Sequence, residues 1–209
     1  MRFKRLRRLL LLCVSIAALA VVNTAIFAAD EKEQFKAKPA ASYAHRQTSE
    51  NVTIAAEPYV TDDQAKEAFG KVNPWRYGVL PVLIAIQNDR RDALRVDHLR
   101  LTYVLPDRTR IEATPAQDVR FALGAKKPRE VPGPLGKVVG KGGKNPLSGW
   151  EIEGRAFAAK MIPPGESASG FFYFQTPEVS DAASVYITGL VDAATSQELY
   201  YFEIPLSGK

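Results

Sequence analysis

The chain has 209 residues, with 28 Lys and Arg against 23 Asp and Glu, a formal charge of +5 that suggests an anionic partner. All of that excess lies in the first eight residues, MRFKRLRR, where Arg2, Lys4, Arg5, Arg7 and Arg8 stand without an acid, leaving 23 basic against 23 acidic residues in the rest. This excludes a broadly basic, nucleic-acid-binding body. A single cysteine, Cys13, excludes a disulfide framework and a thiolate metal centre.

Residues 9–29 carry no charge and only Ser15, Asn23 and Thr24 as polar interruptions. A basic end followed by such a run predicts an export signal, and the run is just long enough to span a bilayer. Cleavage after Ala28 or Ala29 would place Ile26 or Phe27 at the −3 position, where a small residue is preferred. Residues 1–29 are therefore read as a signal peptide or a signal anchor. Either way the protein is expected outside the cytoplasm, periplasmic or extracellular, and tied to the inner membrane through residues 9–29 if the segment is kept. Cys13 lies near the start of the apolar run and not at its end, which argues against a lipidated cysteine.

Residues 30–50 are charged and Ala/Ser/Pro-rich without a hydrophobic period, and read as a flexible tether. Residues 51–209 have the size of one domain. Residues 52–56 open it as a strand. Thr61-Asp62-Asp63-Gln64 is a capping box for a short helix that Gly70 ends. Residues 79–86, VLPVLIAI, are apolar on both faces and predict a central strand, with Pro81 pointing to a bulge or a nearby edge. In residues 99–105 the alternation places Leu99, Leu101, Tyr103 and Leu105 on one face and Arg100 and Thr102 on the other. Pro106-Asp107 turns the chain into a return strand at 108–113, and Thr114-Pro115-Ala116-Gln117 repeats the helix-start device. Four more β-like segments follow, at 152–161, 167–176, 184–191 and 198–206.

The expected fold is all-β: an antiparallel β-sandwich of about 7–9 strands with one or two short connecting helices, preceded by the amino-terminal signal or anchor helix. Val82-Leu83-Ile84-Ala85-Ile86-Gln87-Asn88, followed by a Leu-rich strand and a Pro-Asp turn, resembles the opening of secreted bacterial immunoglobulin-like domains. Ile162-Pro163-Pro164-Gly165-Glu166, then small residues, Gly170 and the aromatic run from Phe171, resembles a segment of the same group. The likeness covers residues 79–105 and 162–206, without a cysteine pair across the sheets and with a long insertion between. It implies an immunoglobulin-like binding or structural domain of the cell envelope and names no ligand.

That insertion, residues 122–149, holds seven glycines and four prolines, and Lys126, Lys127, Arg129, Lys137, Lys141 and Lys144 against the lone acid Glu130. Its net charge of +5 means that the remaining body carries −5. Gly140-Lys141-Gly142-Gly143-Lys144 is not a phosphate loop, because no Gly lies five residues before a Gly-Lys pair and no Ser or Thr follows the Lys. The segment reads as a solvated loop or as a basic contact surface for an envelope protein, a glycan or an anionic surface; nucleic acid is not expected.

No catalytic or metal site and no cofactor is predicted. His45 and His98 have no ligand-spaced partner, and no Gly-x-Ser-x-Gly is present. Asp62-Asp63 and Glu151/Glu153 are the nearest carboxylate pairs, the first explained by a helix start and the second by a strand start. Among the aromatics, Phe171 and Tyr173 share one face and Phe172 and Phe174 the other, so that one set forms either an exposed platform or a second core layer under the connecting helix or the basic loop. Trp75 and Trp150 are expected to plug the sandwich ends or to face a ligand. The function expected is non-catalytic binding or scaffolding in the envelope; the alternatives are a carbohydrate-processing hydrolase working through exposed carboxylates and a periplasmic ligand or metal carrier.

Overall fold

Hydrophobic alternation governs the structure, a computed structural model that describes residues 35–122, 145–176 and 178–206. Residues 1–29, expected to be a signal peptide or signal anchor, and the six basic residues Lys126, Lys127, Arg129, Lys137, Lys141 and Lys144 lie outside the described residues. Among the described residues the protein is mostly β, with strands β1 (Arg46–Ser49), β2 (Val52–Pro58), β3 (Val79–Asn88), β4 (Leu94–Arg95), β5 (Arg100–Val104), β6 (Arg110–Glu112), β7 (Met161–Ile162), β8 (Ser167–Gln175), β9 (Ser184–Thr188), β10 (Val191–Asp192) and β11 (Phe202–Pro205). They form three antiparallel sheets, ordered β1-β2-β3-β8, β11-β9-β5-β6 and the small β10-β4-β7. Two α-helices, α1 (Asp62–Phe69) and α2 (Trp150–Gly154), and short 3-10 turns connect them.

The two four-stranded sheets share a core. Ile54, Leu80, Val82, Ile84 and Phe174 from one meet Leu101, Tyr103, Val185, Ile187 and Ile204 from the other, and the rings of Tyr103 and Phe174 lie 5.8 Å apart. The opposite face of the first sheet is also apolar, as the two-sided hydrophobicity of β3 requires. Leu83 pairs with Phe171 and Pro81 with Tyr173 there, and Phe69 of α1 covers them, its ring 4.8 Å from Phe171 and 6.3 Å from Tyr173. The second core layer expected under the helix is thus formed by Phe171 and Tyr173. Thr61 caps α1 in the predicted capping box, its hydroxyl accepting from Gln64 N, and Gly70 ends the helix at φ 70°.

Pro81 makes no bulge; the register runs through it unbroken. Its carbonyl accepts from Tyr59 N on the β2 side, just beyond the last β2–β3 pair, Pro58 with Val82. The missing N–H therefore faces a place where the ladder has already ended.

Several expectations are corrected. Residues 46–49, assigned to the tether, form edge strand β1, joined to β2 by a two-residue turn in which Glu50 and Asn51 adopt φ 49° and 58°. A polar edge strand has no hydrophobic alternation to reveal it. Eleven strands replace the expected 7–9 among the described residues, because the segment 184–191 splits at Gly189 and the short strands β1 and β4 escape a periodicity reading. Residues 152–161 are not one strand: Trp150–Gly154 is a helical turn that buries Ile152, whose carbonyl accepts from the Tyr173 hydroxyl at 2.7 Å. One apolar residue between two acids fits a helical turn as well as a strand. Thr114 does not cap a helix; it bridges to Tyr173, and the following 3-10 turn, Ala116–Phe121, starts after Pro115 without a side-chain cap.

Candidate functional site

Among the described residues no helix lies over the outer face of the second large sheet, in contrast to that of the first, which α1 covers. Alternation turns Leu101 and Tyr103 inward from β5, and Val185 and Ile187 from β9. The residues between them, Arg100, Thr102, Tyr186 and Thr188, therefore face outward. Register then sets neighbours: Arg100 lies opposite Thr188, and Thr102 lies between Tyr186 and Glu112. The ring of Tyr201, 53% exposed, stands 4.9 Å from that of Tyr186. On the other side the Arg110 guanidinium sits over Tyr186, 5.7 Å from the ring centroid, a cation–π contact that fixes its position while leaving N–H groups for another partner.

From this face a cleft of about 600 Å³ extends to the stacked pair Phe157 and Phe172, whose ring centroids lie 5.6 Å apart. One wall is the segment carrying Arg155 and Phe157, laid against β8 by Phe171 N donating to Arg155 O (2.9 Å) and Phe157 N donating to Phe171 O (3.1 Å). Gly170 permits that approach: a Cβ on it would lie 2.6 Å from Phe157 N. Thr114 N donates to Tyr173 O at 2.6 Å, so the free edge of β8 is paired along this stretch.

Three charged side chains among the described residues line the cleft: Arg100, Arg110 and Glu112. Among the described residues neither arginine has an ion-pair partner, whereas Arg76 pairs with Asp62 and Arg90 with Asp192. On its walls the cleft carries, among the described residues, one carboxylate, Glu112, and no histidine. It offers guanidinium donors, threonine hydroxyls and aromatic surface, the chemistry of holding a ligand.

The residues singled out from the sequence do not converge here. Trp75 packs half-buried against the core. Trp150 does not plug; it is 61% exposed on α2, over Gly154. Asp62 accepts from Asn73 Nδ2 at 2.9 Å and from Arg76, and these hydrogen bonds, Asn73 first, hold its carboxyl below the usual carboxylate range. It is a helix-start residue engaged in structure, as its place in the capping box implies. Glu151 and Glu153 lie on α2 and not on a strand. His98 sits in an exposed turn after β4, 3.7 Å from Asp97. Among the described residues no group of three or more His, Cys, Asp or Glu could hold a metal ion, and no helix is long and apolar enough to cross a membrane. Sequence reasoning placed Arg100 and Thr102 on the polar face of a strand but did not single them out. Arg110, Phe157, Tyr186 and Thr188 were missed as a group, because only strand register brings them together.

No protein-family model matches the chain, and no curated protein matches it. Among solved structures it is similar to a Bordetella pertussis protein designated ApaA, at 13% identity and a TM-score of 0.35, over 81% of this chain and 96% of that one. It is also similar to a second structural-genomics target, at 12% identity and a TM-score of 0.33, over 76% of this chain and 88% of that one. Neither likeness is close enough to carry a fold or a function across.

Proposed function

We propose that the chain is a non-catalytic binding or scaffolding protein of the cell envelope, exported by its amino-terminal segment and acting through an immunoglobulin-like β-sandwich. The observation that supports this reading is the asymmetry of the two outer sheet faces. One is sealed by Phe69 over Phe171 and Tyr173. The other carries exposed Tyr201 beside Tyr186, and Tyr186, Arg110 and Arg100 line an open cleft. An outward aromatic and arginine surface is what contact sites are enriched in. Of the carboxylate pairs considered for a hydrolase, Asp62 is committed to Asn73 and Arg76, and Glu151 and Glu153 lie on α2, outside the lining of the cleft.

The test is co-sedimentation of the full-length protein with an envelope fraction of its source cells, against an Arg100→Gln/Arg110→Gln variant. Export and binding predict wild-type protein in the envelope fraction and loss of the variant's retention after the membrane is solubilised. Equal retention of both forms removes the open face from the proposal, and recovery in the cytoplasm overturns export.

A further inference from the structure

We propose that the cleft between Arg100, Arg110 and the Phe157–Phe172 pair binds an acidic polysaccharide, with the carboxylates of its sugar units on the two guanidiniums. This rests on reading the open face as a binding surface, and adds the class of ligand.

Charge is the first argument. Outside the leader and residues 122–149 the chain carries a net −5, yet the charged residues of the cleft are two arginines and one glutamate. A cleft of positive sign, set in a part of the chain whose other charges sum to negative, favours an anion there over the surface around it. Both arginines lack a carboxylate partner among the described residues, in contrast to Arg76 and Arg90. A planar guanidinium matches a carboxylate in bidentate fashion.

Backbone pairing decides against the other common anionic partner, an acidic peptide added as a strand. At the cleft the β8 edge is paired to Arg155, Phe157 and Thr114, and Leu101 O accepts from Ala113 N at 3.2 Å. Among the described residues this leaves the three-residue edge of β6, Arg110–Glu112, for strand addition at the cleft, a short ladder. What the walls present is side-chain chemistry: the hydroxyls of Thr102 and of Thr188, the latter opposite Arg100, and the rings of Phe157, Phe172 and Tyr186. Hydroxyls both donate and accept, as sugar hydroxyls require, and ring faces suit the apolar face of a pyranose. A volume of about 600 Å³ accommodates a short run of sugar units.

The experiment is calorimetric titration of the full-length protein in detergent with three probes of matched length: trigalacturonate, the neutral maltotriose and the peptide triglutamate. Wild-type protein is expected to bind trigalacturonate saturably, with affinity falling as salt rises, and to bind the other two at least about tenfold more weakly. Arg100→Gln/Arg110→Gln is expected to lose about tenfold or more for trigalacturonate at an unchanged thermal midpoint, while Arg76→Gln, remote from the cleft, binds as wild type. Absence of saturable trigalacturonate binding, equal binding of triglutamate, or an unaffected double variant each overturns the proposal. If trigalacturonate fails while the double variant still loses envelope retention, the ligand class falls and the binding face stands.

Discussion

Asn88 donates from Nδ2 to the carbonyl of Ile162 at 2.9 Å, across 74 positions of sequence. The side chain is fully buried at the end of β3 and also reaches Asp92 O (3.0 Å) and Pro163 O (3.2 Å), while its Oδ1 accepts from Arg90 N. Its backbone completes the joint, with Asn88 N donating to Glu166 O and Gly165 N donating to Asn88 O. The apolar strand ending in Gln-Asn and the Pro-Pro-Gly-Glu turn, the two segments with the strongest sequence pattern, are thus fastened by one amide.

Asn88→Ala strands three carbonyls at the joint. We expect a loss of about 2–3 kcal/mol, within the range for buried groups left without partners. Urea unfolding at pH 7 checks this: a lower midpoint with unchanged slope is expected, and a change under about 0.5 kcal/mol would show that water replaces the amide.

Gly170→Ala puts a Cβ against the backbone of Phe157, which cannot yield as a flexible side chain would. Overpacking of this kind costs about 1–3 kcal/mol. The Arg155–Phe157 wall should lift from β8 and the Phe157–Phe172 stack should separate. Faster hydrogen exchange at the Phe157 and Phe171 amides, with protection retained in β3, is the signature sought; intact protection there refutes the role given to Gly170.

Phe69→Ala opens the sealed face. The side chain is buried between Phe171 and Tyr173, and such truncations cost about 3–5 kcal/mol. Binding of a hydrophobic dye near neutral pH should rise as the aromatic layer is uncovered. A loss below about 1 kcal/mol would mean that α1 is not the cover.

Asp192 tests the pH dependence. Its carboxylate accepts from the backbone N–H groups of Thr195 and Ala194 and from Arg90 Nη2 at 2.6 Å, and these contacts, the Thr195 N–H first, lower its pKa from 3.8 to about 2. A pKa lowered by folding adds stability that is present above the unfolded value and lost as pH falls through the folded one. Wild-type protein should therefore lose this increment between about pH 4 and pH 2. Asp192→Asn should be less stable at pH 7 and flatter across that window in thermal melts. Parallel curves for the two proteins would show that the carboxylate does not supply the acid sensitivity.

Glu50 is a case in which sequence offers no signal. It adopts a positive φ in the β1–β2 turn, where Asn or Gly is the ordinary choice. Its carboxylate accepts from Tyr200 N, and Arg90 reaches both its carbonyl and its carboxylate. The strain is held by contacts 40 and 150 positions away, and no local pattern encodes them.

Local chemistry settled what period and capping can settle. The alternation from Leu99 to Leu105, the two-sided apolar run of β3 and the Thr61–Gln64 capping box each fix an element through neighbours only a few residues apart. The sequence by itself also determined that the excess charge belongs to the first eight residues. Tertiary structure alone decided that a polar Arg-Gln-Thr-Ser segment closes a sheet edge, that Glu-Ile-Glu turns as a helix, and that Arg100 and Arg110 stand beside Tyr186. The physical reason is that register and face coverage are set by pairings between distant strands, and these choose which outward residues share a surface.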